Sequence, residues 1–275
     1  MSKPRFGLGL NGLIGLTLIG TLLIAAIVAA FWTPYDPLAL QLRLRLKPPS
    51  AAHWFGTDEF GRDVLSRAMA GASASFLISF LTVTFAITVG TTLGVVTGYL
   101  RGWTDRVLMM GNDALLAFPG ILLALSLMVV MGANRHGVIV ALGIAYTPSV
   151  VRVVRGTVLS LREKEFVEAS RMIGNSDLYS MFRHILPNAL APVAVLATSM
   201  FGWTLLAESS LSFLGLGVPP PAPTWGNMLA AARPHLESSV WLGLVPGICI
   251  ALTMLGINLL GDALRDRFDP RMTSA

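Results

Sequence analysis

Charge is what this chain has least of. Only 13% of its 275 residues are Asp, Glu, Lys or Arg, whereas 54% are hydrophobic and the mean hydropathy is +0.68. A soluble domain of this size needs about a quarter of its residues charged, so that class is excluded. Cysteine is almost missing too. Cys249 is the single one and lies in an apolar run, so there is no disulfide framework, no CxxC pair and no thiolate metal site. His53, His136, His184 and His235 stand far apart, none at the spacing that puts two metal ligands on one helix face. HExxH, GxSxG and GxxxxGK[ST] are absent, so neither hydrolytic chemistry nor a nucleotide site of the chain's own is indicated. Gly7 to Gly12 satisfies GxGxxG, but no strand precedes it and no βαβ unit follows. The chain therefore reads as a non-enzyme without metal or cofactor.

What is present is a series of apolar stretches, at about Leu10–Trp32, Phe76–Tyr99, Val107–Met131, Val138–Val154, Pro192–Leu214 and Trp241–Leu260. Each approaches the roughly 20 residues a helix needs to cross hydrocarbon, which predicts an all-α integral membrane protein with six transmembrane helices. The first exceeds the apolar region of about 7–15 residues found in a secretory signal and reads as an uncleaved anchor. The chain divides into a tail and first helix (1–32), a long polar loop (33–72), a five-helix core (73–263) and a tail (264–275). Gly90, Gly94 and Gly98 recur every four residues and predict a flat face for close helix contact. Pro119 and Pro148 fall inside spans, where neighbours or a lined cavity must satisfy the freed backbone groups.

The net charge of +5 comes from basic residues at span ends, which points to membrane orientation rather than to nucleic acid. Short loops and tails on the N-terminal side hold most of the Lys and Arg. Arg43, Arg45 and Lys47 in the first long loop work against that bias without reversing it. Both termini and residues 156–191 are therefore expected on the cytoplasmic side.

Within 156–191, the run Ser160 to Pro192 carries its own folding signals. Ser160 and Glu163 have capping-box spacing, Phe166, Ala169 and Ile173 share a helical face, and Gly174-Asn175 supplies a stop. A short helix with an apolar stripe is predicted outside the membrane, available to its own bundle or to a partner. In the first long loop, GTDEFGRDVLSR (Gly56 to Arg67) reads as a Gly-rich turn feeding a helix, with Asp58 and Asp63 near its start and Arg67 one turn beyond Asp63. A third run, SSLSFLGLGVPPPAPTWG (Ser209 to Gly226), ends a span in Gly and Pro. Two carboxylates fall in spans, Asp113 and Glu208. An intramembrane acid is costly unless paired or used, so structural pairing is the commoner expectation for both, with a place in a pathway or its gate as the other reading.

Glu168-Ala169-Ser170, then Gly174, then Leu186-Pro187, resembles the EAA loop of permease subunits of ATP-binding-cassette (ABC) importers. The pattern's Ile falls here on His184, with Ile185 beside it. The Gly56 to Arg67 and Ser209 to Gly226 runs, with Gly261 to Asp266 and Asp269-Pro270, resemble the C-subunit permeases of dipeptide, oligopeptide and nickel importers. The resemblance spans nearly the whole chain. It implies the type I importer (MetI-like) permease fold, an inner-membrane location, a second permease, two ATPase subunits holding ATP and Mg, and an extracytoplasmic binding protein that delivers the solute. It further implies that Glu168 meets a basic group on the ATPase, Ala169 and Ser170 allow close seating, and Gly174 turns the chain. Asp58, Arg62 and Asp63 become expected contacts for the binding protein, with a loop that merely caps the permease mouth as the other reading. Di- or oligopeptides are the first expected solute and nickel or its chelates the second. A self-contained carrier or channel, or a membrane scaffold, stays open on the residues alone.

Overall fold

The computed structural model describes residues 9–268; Lys3, Arg5 and the Asp269-Pro270 pair lie outside them. In an apolar solvent the backbone must satisfy its own hydrogen bonds, and each apolar stretch does so as helix. The helices are α1 (Leu10–Ala29), α2 (Val64–Leu100), α3 (Gly102–Leu116), α4 (Gly120–Met131), α5 (Arg135–Leu161), α6 (Glu165–Met172), α7 (Asp177–Ser180), α8 (Leu186–Phe213), α9 (Trp225–Ala232) and α10 (Trp241–Phe268). A π-turn, Met181–Ile185, joins α7 to α8. Several helices outrun their apolar stretches. α2 has 37 residues, about 55 Å at 1.5 Å per residue, and so projects well beyond a hydrocarbon core.

The third expected span is not one helix. α3 and α4 meet at 91° across Pro119, which has no N–H to donate and disfavours helix at Phe118. Among the described residues, five helices are long and apolar enough to cross alone, and a sixth crossing exists if the bent pair counts as one. Pro148, by contrast, stays buried within a continuous α5.

The glycine stripe does what its spacing predicts. A Cβ on Gly90, Gly94 or Gly98 would stand 2.5, 2.7 or 2.8 Å from the Cβ of Val150, Val154 or Val158, so α2 and α5 approach as closely as backbones allow. α1 packs on α10 in the same way, with Gly15 against the Gly256 carbonyl. Three apolar cores result. One joins α2, α5 and α8 to Val167 of α6; one surrounds Trp225 between α2, α8 and α10; one lies among α2, α4, α5 and α8.

Candidate functional site

At one end of α2 sits the short helix predicted around Phe166. Its start differs from expectation: Ser160 is still within α5, and α6 begins after Lys164 with no side-chain cap. The Ser160–Glu163 capping box is not formed, because the apolar periodicity of α5 carries that helix through Leu161. The end matches expectation in detail. Gly174 adopts φ +88°, its N–H reaches the Arg171 carbonyl at 2.9 Å, and the Asn175 N–H reaches the Ser170 carbonyl at 3.2 Å. That pair of bonds is a Schellman stop, open to glycine because other residues strain at this φ.

The buried face of α6 is Val167 and Ser170, not Phe166, Ala169 and Ile173. Val167 is 0% exposed in the α2–α5–α8 core. Ser170 shares a 3.1 Å hydrogen bond with the Ser180 hydroxyl and accepts from Asn175 Nδ2 at 3.1 Å, so it stitches α6 to α7 and is turned away from any docking partner. The predicted stripe faces outward. Phe166, Ala169 and Ile173 are exposed together with Met172 and Glu168, and Glu168 makes no ion pair among the described residues. Leu186 and Pro187 open α8. The π-turn before them turns Ile185 fully inward and leaves His184 edge-on to Phe166 and Tyr179, which accommodates the one-position departure from the EAA pattern.

Tyr99, at the end of α2, is the residue the sequence did not single out. It is 3% exposed and donates to Asp177 Oδ1 at 2.6 Å, while Arg171 Nε donates to its hydroxyl at 3.3 Å. Arg162 Nη1 bonds its carbonyl at 2.7 Å, and the Arg171 guanidinium lies 5.1 Å from the ring centroid. One residue, through its hydroxyl and its main-chain carbonyl, thus ties α2 to the loop on both sides of α6. A lone Tyr closing an apolar span carries no motif that would have marked it.

Asp113 lies on α3, exposed and paired with Arg152 at 2.9 Å; one turn or so away, Arg155 grips Asp105 with two 2.7 Å bonds. Both pairs fasten the broken span to α5.

At the other end of α2, Asp58, Arg62, Asp63 and Arg67 form a buried knot. Asp58 Oδ2 accepts from Arg62 Nε at 2.7 Å and lies 3.3 Å from Arg67 Nε. Arg67 therefore pairs with Asp58 and not with Asp63. Asp63 caps α2, accepting from Ser66 N–H at 2.8 Å, and its other oxygen is 2.9 Å from His53 Nδ1. All are under a tenth exposed, so Asp58, Arg62 and Asp63 are enclosed by the chain itself and not displayed at its surface.

Glu208 is 0% exposed. Its carboxylate accepts from Ser212 Oγ at 2.8 Å and from Ser75 Oγ at 3.4 Å, and Ser75 in turn accepts from the Trp225 N–H at 3.3 Å. Trp225 Nε1 donates to the Ala68 carbonyl at 2.9 Å. The chain α8–Glu208–Ser75–Trp225 clasps α9 between α2 and α8. Gly226 permits it, since a Cβ there would lie 2.6 Å from Ser209 Cα. Among the described residues no group of three His, Cys, Asp or Glu is placed to hold a metal ion.

A multi-pass helical membrane protein with a short polar helix, stopped by glycine, against one end of its bundle is thereby defined. Residues 90–274 match the family described as binding-protein-dependent transport system inner membrane component, and the chain belongs to that family. A dipeptide transport system permease, DppC of Alkalihalophilus pseudofirmus, is 42% identical over 95% of this chain and 86% of its own length. A glutathione transport system permease, GsiD of Escherichia coli, is 42% identical over 91% and 83%. Among solved structures, the MetNI methionine ABC transporter in an inward-facing form superposes with a TM-score of 0.59 at 19% identity, over 74% of this chain and 97% of that one. The fold is that of the ABC importer permeases, and the chain is a permease subunit of such an importer.

Proposed function

We propose that this chain is one of two permeases forming the path of a peptide importer. ATP and Mg are held by two separate ATPase subunits, and a binding protein delivers the solute from outside. Peptides of two or a few residues are the solute class, supported by relatives named for dipeptide and glutathione transport; nickel is the second reading. The termini and α6 lie in the cytoplasm, in keeping with the distribution of Lys and Arg. Asp113, exposed at the broken span, faces the path. Glu208 acts on the outer gate only by holding α9. Asp58, Arg62 and Asp63 serve the binding protein from beneath, as scaffold.

The observation that carries this reading is the outward stripe of α6. Phe166, Ala169, Met172 and Ile173 leave apolar surface exposed on a helix whose other face is already anchored, with the unpaired Glu168 among them. Such a surface suits a groove on an ATPase, Glu168 meeting a cation there. The test is Ala169→Trp and Gly174→Val in the reconstituted complex, measuring ATP hydrolysis and uptake together. Uptake per ATP should fall about tenfold or more, the effect of losing a central interface contact. Coupled transport in both variants would refute the docking role.

A further inference from the structure

The long loop before α2 contains more cations than its fold uses. Asp58 is taken by Arg62 and Arg67, Glu59 lies 3.4 Å from Arg62, Asp63 is taken by His53 and the α2 cap, and Asp36 accepts from the Leu38 N–H. Arg43, Arg45 and Lys47 remain. All three are exposed, and none forms an ion pair among the described residues.

These cations do not sit on a loose strand. The ribbon that carries them is pinned to the buried knot by main-chain bonds: Gln41 N–H to the Phe60 carbonyl at 3.0 Å, Leu46 N–H to the Asp58 carbonyl at 3.0 Å, and Thr57 N–H to the Lys47 carbonyl at 3.0 Å. The Lys47 N–H reaches Thr57 Oγ1 at 2.9 Å, and the same hydroxyl donates to the Leu44 carbonyl. Gly61 belongs to this arrangement. A Cβ there would overlap the Gln41 carbonyl, so the glycine of the knot is what lets the ribbon lie against it. The knot is buried scaffold, and the ribbon pinned to it carries three exposed cations.

We propose that residues 41–47 are a docking strip for an acidic face of a soluble extracytoplasmic protein, the binding protein of the complex proposed above, on which this inference rests. Cations placed outside oppose the inside-positive bias of membrane proteins. The negative surface potential that recruits basic segments to lipid belongs to the cytoplasmic leaflet, so an anionic membrane is the poorer occupant here. Exposed Arg and Lys on a pinned ribbon, without an ion pair among the described residues, suit a carboxylate patch, and long-range attraction between such faces speeds encounter more than it tightens the final complex.

The experiment uses the intact complex with its ATPases in lipid nanodiscs and the binding protein that co-purifies with it. Association rates are measured at low and high salt for the wild type, for Arg43→Glu/Arg45→Glu/Lys47→Glu, and for the charge-keeping Arg43→Lys/Arg45→Lys. The reversed variant should associate about 10- to 100-fold more slowly at low salt and converge on wild type at high salt. The charge-keeping variant should stay near wild type, and reversing acids on the binding protein should restore the reversed variant. Because these three exposed side chains form no ion pair among the described residues, thermal unfolding of the reversed variant should match wild type, which separates lost docking from lost structure. Association unchanged by charge reversal overturns the proposal, as does a loss seen only in nanodiscs rich in anionic lipid. If the wild-type chain brings down ATPases but its binding protein is indifferent to the strip, only this inference fails. A wild-type preparation with no ATPase and no binding protein overturns the transport reading and this one together.

Discussion

Glu208 shows how a single buried group is tolerated in an apolar bundle. Its carboxylate has two hydroxyl donors, and one of them, Ser75, passes the interaction on to the α9 backbone. Glu208→Ala leaves both hydroxyls without their acceptor and should cost about 1–3 kcal/mol, read as a lower unfolding temperature in detergent. Glu208→Gln keeps an acceptor and should cost less. Equal destabilisation by the two would contradict the clasp, and normal uptake by the Gln variant in a normally assembled complex would end any direct gating role. Tyr99 is the counterpart at the α6 end. Tyr99→Phe removes the hydroxyl shared by Asp177 and Arg171, a loss of about 0.5–1.5 kcal/mol that leaves the fold in place. ATP hydrolysed per solute moved should rise, since the loop then transmits motion less faithfully. An unchanged ratio would make Tyr99 a packing residue only.

Helices are held together here by what is absent from their faces. Gly94→Leu would drive a side chain into Val154, whose Cβ lies 2.7 Å from the position of an added Cβ. Overpacking of this kind costs about 1–3 kcal/mol or more, and Val154→Ala should recover part of it. Thermal stability of the single and double variants measures both. No recovery would mean that the stripe does not set the α2–α5 distance. The break at Pro119 acts in the opposite sense, letting α3 leave the line of α4 so that Asp105 and Asp113 meet Arg155 and Arg152 of α5. Charged pairs then lie along a helix that composition alone reads as a plain span.

For the whole molecule, the prediction concerns company. The chain has exposed apolar surface along its spans, as lipid requires, and further apolar surface on the short polar helix α6. Mass spectrometry of the gently solubilised complex should find this chain with one different permease of similar size and two ATPase chains. A homo-oligomer, or the chain alone, would contradict the importer reading.

Membrane class, the apolar spans other than the third as single helices, and the glycine signals were legible in the sequence because they depend on local composition and period. The Gly174 stop, the Gly90–Gly94–Gly98 face and the presence of a short helix near Phe166 belong to that group. Which face of that helix is buried did not. Val167 and Phe166 are equally apolar, and only the position of the α2–α5–α8 core turns one inward and leaves the other out. The same holds for Asp58, Arg62 and Asp63, expected at a surface and found in a knot, because ion pairing between Asp58 and Arg67 is set by how the loop folds back on α2. Glu208 was legible as unusual, since a carboxylate in an apolar run is rare. That it is buried and clasps α9 through Ser75 was decided by tertiary structure, because Ser75 and Trp225 are distant in the chain and adjacent only when α2, α8 and α9 pack.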